Sequence, residues 1–61
     1  MDWYLISVSY YTFLSDDINP TLLTDLRLVR STSKEHAISK MLLAIGVTKS
    51  MIDDVQCLNV E

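Results

Sequence analysis

Cysteine, glycine, proline and histidine each occur once in the 61 residues. Each scarcity closes off a class of function. A lone cysteine forms no internal disulfide and builds no Cys-rich zinc site. One glycine cannot make a phosphate-cradling loop, and Ser7 and Ser9 have none of the glycines of a nucleophile elbow. His36 has no second histidine with which to hold a metal. Bases are few as well: five Lys and Arg against eight acids give a net charge of −3. That argues against general DNA or RNA binding, which needs clustered positive charge. No apolar run is long. The stretch from Trp3 to Leu14 carries Ser7, Ser9 and Thr12 and is about half of the ~20 residues that span a bilayer. Met1-Asp2-Trp3 shows no basic targeting segment, and four residues follow Cys57, which is not a prenylation position. These features read as a cytoplasmic chain whose single thiol suits a reducing compartment.

Apolar side chain is abundant. The chain is 49% hydrophobic and 21% charged, a globular balance and not a disordered one. Its length allows one small domain, residues 1–61, close to the lower limit for folding alone. With no disulfide or metal to help, folding and ordering nearly cancel in so short a chain. The Leu, Ile and Val side chains, with Trp3, Phe13 and three tyrosines, exceed the interior that such a domain can enclose. Some must reach the surface, and a contiguous exposed apolar patch marks an interface.

Residues 3–14 read as a strand, rich in aromatic and β-branched side chains. Its even positions, Tyr4, Ile6, Val8, Tyr10 and Leu14, form one apolar face. Its odd positions place Ser7 and Ser9 between Trp3 and Leu5 on one side and Tyr11 and Phe13 on the other. Residues 15–20, Ser-Asp-Asp-Ile-Asn-Pro, are a loop. Residues 21–31 fit two patterns. Alternation from Asp25 to Ser31 favours a strand antiparallel to the first, whereas Asn19 as cap and Pro20 at the first helical position allow a helix over the earlier part.

A helix is predicted over residues 33–45. Thr32 and Glu35 have capping-box spacing, with Ser33 as the alternative cap. Ile38, Met41, Leu42 and Ile45 fall on one face, and Ala37 and Ala44 permit close approach. Gly46 sits where a left-handed C-cap belongs, with Val47 as its apolar follower. A further turn capped by Thr48 spans residues 48–53, and residues 54–60 form a third strand around Val55, Cys57, Leu58 and Val60. The expected fold is α+β: a single β-β-α-β domain, a three-stranded mainly antiparallel sheet with one helix packed on one face.

Charge is segregated. Residues 27–49 hold all five bases, and Arg27, Arg30, Lys34 and Lys40 form a possible anion-binding strip, although five dispersed bases read first as solvated faces. Asp16-Asp17 and Asp53-Asp54 are paired carboxylates, but adjacency in sequence makes neither a metal site nor an acid–base pair. Cys57 and His36 lack the third residue of a nucleophilic site, and a free cysteine usually serves as a small hydrophobe. So small a chain rarely encloses an active-site pocket, so no enzyme, metal or cofactor is expected. A helix covering the even face leaves Trp3, Tyr11 and Phe13 uncovered, and Trp and Tyr are typical interface anchors.

The profile of a tiny, acidic, single-domain chain without catalytic equipment is similar in type to phage and mobile-element inhibitors, antitoxins and anti-defence proteins. That likeness rests on no motif. It implies a non-catalytic modulator that occludes a host protein. The odd face of the first strand, with Trp3, Tyr11 and Phe13, and the acidic loop at Asp16 and Asp17 are expected to make the contact. A homo-oligomeric structural or accessory protein is the alternative. A weak nucleic-acid binder acting through residues 27–49 is a third reading.

Overall fold

The computed structural model describes residues 1–13 and 18–60. Strand β1 spans Asp2–Thr12 and strand β2 spans Thr21–Ser31. Helix α1, Lys34–Ile45, follows, then a 3₁₀ turn at Lys49–Met51 and strand β3 at Ile52–Asn59. The sheet order is β2-β1-β3, and both pairings are antiparallel. The α+β architecture expected from the sequence is the one observed. Because β2 and β3 both run against β1, they are parallel to each other. The connection between them passes over the central strand and carries the helix that covers it.

Several boundaries differ from expectation. The segment that fitted either a strand or a helix is strand from Thr21 onward. Asp2 to Thr12 pair without a break with Ser31 to Thr21, and a helix over residues 20–27 would strip hydrogen-bond partners from half of the central strand. The third strand starts at Ile52, and the helical turn before it is only three residues long. Thr48 occupies the N-cap position of that turn without capping it; its hydroxyl instead lies 3.0 Å from that of Ser50. β1 ends at Thr12, and the expectations placed on Leu14, Asp16 and Asp17 lie outside the described residues.

The helix is capped one residue later than the Thr32–Glu35 box implies. Ser33 is the N-cap, extended at φ −152° and ψ 162°, and its hydroxyl accepts the His36 N–H at 3.2 Å. Thr32 instead approaches the His36 ring, with its hydroxyl 3.4 Å from Nδ1. Glu35 still stands in the first turn, where a negative charge meets the positive end of the helix dipole. The C-terminus follows the sequence closely. Gly46 takes φ 72° and ψ 31°, Val47 N–H donates to the Leu42 carbonyl at 3.0 Å, and Gly46 N–H donates to the Leu43 carbonyl at 3.3 Å. This is the paired-bond stop that a left-handed glycine makes possible, and Val47 is buried beside it.

The core is small. Tyr4, Ile6 and Val8 from β1 meet Ala37 and Met41 from α1, with Tyr10, Val29, Ile38, Leu42, Ile45, Val55 and Cys57 packed around them. The even positions of β1 face the helix, as period two requires. Ala37, fully buried, makes the close approach, while Ala44 is exposed. The molecule is elongated, 41 × 15 × 15 Å, and the one helix packs on one face of the sheet, so that among the described residues the other face is uncovered.

Candidate functional site

The uncovered face is set by strand parity. Trp3, Leu5, Ser7, Ser9 and Tyr11 point away from the helix, and register fixes their neighbours. On the β2 side Trp3 pairs with Arg30, Leu5 with Leu28, Ser7 with Leu26, Ser9 with Thr24 and Tyr11 with Leu22. On the β3 side Leu5 pairs with Leu58, Ser7 with Gln56 and Ser9 with Asp54. The Val60 N–H donates to the Trp3 carbonyl at 3.0 Å, which carries the pairing one step past the strand end.

These pairs sort into three zones. At one end, Trp3, Leu5, Leu26, Leu28, Leu58 and Val60 form an apolar block, and Leu26 and Leu58 are more than 60% exposed. The Arg30 guanidinium lies 6.0 Å from the centre of the Trp3 ring, within the range of a weak cation–π contact. A polar belt follows, with the Ser9 and Thr24 hydroxyls 3.0 Å apart and Gln56 Nε2 donating to Asp54 at 3.4 Å. Beyond it lie Tyr11 and Leu22, with Phe13 just past the strand end; all three are exposed. A shallow depression lined by Leu5, Ser7, Leu26, Gln56, Cys57 and Leu58 joins the apolar block to the belt.

Trp3, Tyr11 and Phe13 are therefore exposed, with Trp3 and Tyr11 on the open face at opposite ends of β1. Asp16 and Asp17 lie outside the described residues. Sequence reading singled out the aromatics of this face but not Leu22, Leu26, Leu28, Leu58 and Val60. The alternation of β2 was visible. Its alignment with the odd side of β1 depends on hairpin register, which composition does not reveal.

The four bases of the proposed anion strip do not share one face. Arg27 pairs with Ile6 and so lies on the helix side, whereas Arg30 pairs with Trp3 on the open side. The Lys40 ammonium donates to the Arg30 backbone carbonyl at 2.8 Å. Arg27, Arg30 and Lys40 border a shallow depression along the outer edge of β2 together with Met41 and Ala44, and Lys34 does not line it. Asp53 and Asp54 diverge as well. The β1–β3 register shifts between Ser9 and Tyr10, so Asp54 pairs with Ser9 and Asp53 is the extra residue of a bulge.

On the helix side, the Tyr10 hydroxyl donates to Asp25 at 3.1 Å. That bond to the carboxylate, then burial, then the Asp25 charge raise the Tyr10 hydroxyl above its ordinary pKa, and Arg27 opposes them. Tyr4 is raised first by burial and then by Asp2, Cys57 and Glu35. Cys57 pairs with Ile6 and packs against the core. Among the described residues, no three of His, Cys, Asp and Glu gather closely enough to hold a metal ion, and no helix is long and apolar enough to cross a membrane.

No family model, curated protein or solved structure matches this chain.

Proposed function

We propose that this chain is a non-catalytic protein-binding modulator that docks a partner protein on the open face of its sheet. The observation that carries the reading is the apolar block of that face. Trp3, Leu26, Leu28, Leu58 and Val60 are all more than 40% exposed, on a surface that no element among the described residues covers. Exposed apolar side chains in contact with one another, bordered by a polar belt, are the anatomy of a protein interface. Trp3 and Tyr11 are the anchor types that dominate binding energy. The net charge of −3 favours a basic partner and chiefly speeds encounter. The chain would act in the cytoplasm by occluding its partner's working surface, as inhibitors and antitoxins of phage or mobile-element type do. Nucleic-acid binding is the weaker reading, because Arg27 and Arg30 lie on opposite faces of the sheet.

The test compares the wild type with a Trp3→Ser, Tyr11→Ser, Phe13→Ser variant shown by circular dichroism to be folded. Each is used as bait in cells that express the chain. A partner held by the wild type and lost by the variant supports the proposal. Identical captured sets from the two folded baits overturn it.

A further inference from the structure

The outer edge of β2 offers a second contact, made by backbone instead of by the open face. The Trp3 carbonyl accepts from Val60, so the backbone groups of Trp3 turn toward β3. Its β2 partner Arg30 is then in a non-hydrogen-bonded pair, and Arg30's own N–H and C=O turn outward. Lys40 reaching the Arg30 carbonyl from outside agrees with this. By alternation, the outward groups along the edge belong to Leu22, Thr24, Leu26, Leu28 and Arg30. Among the described residues, Lys40 is the one side chain that hydrogen-bonds to this edge. A long edge strand without a bulge, and uncovered by the described residues over most of its length, is a template for another strand, and the charges it carries at Asp25, Arg27 and Arg30 restrict which strand and register fit.

We infer that β2 pairs antiparallel with β2 of a second copy of this chain, about a two-fold axis at Leu26, joining two sheets into one of six strands. Charge complementarity selects both the occupant and the register. With Leu26 opposite Leu26, each Asp25 faces Arg27 of the second copy, and the symmetry makes this pair twice. Asp25 and Arg27 have backbone groups that turn toward β1, so across the edge they form non-hydrogen-bonded pairs, in which side chains approach most closely. The two nearest registers that keep outward groups facing each other place Asp25 on Asp25 or Arg27 on Arg27, and like charges directly opposite are destabilising. The Leu26-centred register also sets Leu23 of one copy opposite Val29 of the other, beside the depression that Met41 and Ala44 help to line. The other edge lacks these features. β3 is interrupted by the bulge at Asp53 and carries Asp53 and Asp54 with no base. The contact leaves the open face free, so it does not depend on the function proposed above.

Sedimentation of the full chain tests the inference, with Arg27→Asp and Asp25→Arg as separate variants. The wild type is expected to dimerise at micromolar concentration. Each variant replaces two attractive pairs with two repulsive ones and should associate more weakly by on the order of tenfold. Mixed one to one, the two variants restore every pair and should form a heterodimer tighter than either homodimer. Arg27 is exposed, so its variant keeps the fold and remains informative if loss of the Tyr10 partner harms the Asp25 variant. A wild type that stays monomeric to millimolar concentration overturns the inference, as does equal association of Arg27→Asp and wild type. A dimer lost on substituting Trp3, Tyr11 and Phe13 but kept by Arg27→Asp also overturns it, and would place the contact on the open face.

Discussion

Ser31 carries a hydroxyl that is buried without a hydrogen-bond partner, in a residue only 1% exposed. Such a group forfeits its hydration and gains nothing in return, so removing it should stabilise the fold. Ser31→Ala is expected to gain about 1 kcal/mol, which in a domain this small raises the melting temperature by roughly 4–8 °C. Thermal circular dichroism reads the shift, and an unchanged or lower midpoint refutes the account. Gly46 argues in the opposite direction. A methyl group there meets nothing within 4 Å, yet φ is 72°, so Gly46→Ala should cost about 1 kcal/mol through backbone strain alone. Tyr4 and Tyr10 link residues to pH. Their folded pKa values lie above the ordinary 10.0, so near and above that pH the native state holds more protons than the unfolded chain. Their contribution to stability is complete below about pH 10 and declines as pH rises through the folded values. Urea melts of the wild type and of a Tyr4→Phe, Tyr10→Phe variant between pH 9 and 11, roughly spanning the ordinary tyrosine range, should show the steeper alkaline loss in the wild type.

At the scale of elements, the helix was the most legible part of the sequence and β2 the least. The helix announces itself through local chemistry: a hydroxyl before it, apolar positions at helical spacing and the single glycine after it. The remaining ambiguity was between two adjacent hydroxyls, and geometry chose Ser33 because its side chain reaches the His36 N–H. Ser33→Ala should therefore cost about 1 kcal/mol, whereas Thr32→Ala, which loses only a 3.4 Å contact to the His36 ring, should cost less. Guanidinium melts of the two variants decide this, and equal losses would show that the caps are shared. β2 was not legible over residues 20–27 because its local signals permit helix and strand alike. What settles it is non-local: the first strand is eleven residues long and needs a partner along its whole length. The same limit applied to the candidate site. Period two exposed Trp3 and Tyr11, but joining them to Leu22, Leu26, Leu28 and Leu58 required two registers, and one of these depends on a crossover and a bulge.

For the whole molecule, the question is how one layer of sheet and one helix fold while so much apolar surface stays wet. The two faces of β1 divide the task. Its even side supplies Tyr4, Ile6 and Val8 to a core of five buried residues, and its odd side, on the face that the helix does not cover, contributes little to folding. A chain of this length has a stability on the order of 3–9 kcal/mol. Met41, 1% exposed, is the largest fully buried side chain of the helix. Met41→Ala should remove roughly 2–5 kcal/mol, enough to leave much of the population unfolded at ambient temperature. Leu58, 62% exposed on the open face, should behave differently. Leu58→Thr keeps a residue suited to strands, and substitution of so exposed a side chain should change stability by no more than about 0.5 kcal/mol. Native-state hydrogen exchange on both variants makes the comparison without assuming a partner. Protection of the β1 amides should collapse for Met41→Ala and persist for Leu58→Thr. If Leu58→Thr loses as much protection as Met41→Ala, the open face is already holding the fold together, and the division of labour between the faces of β1 is wrong.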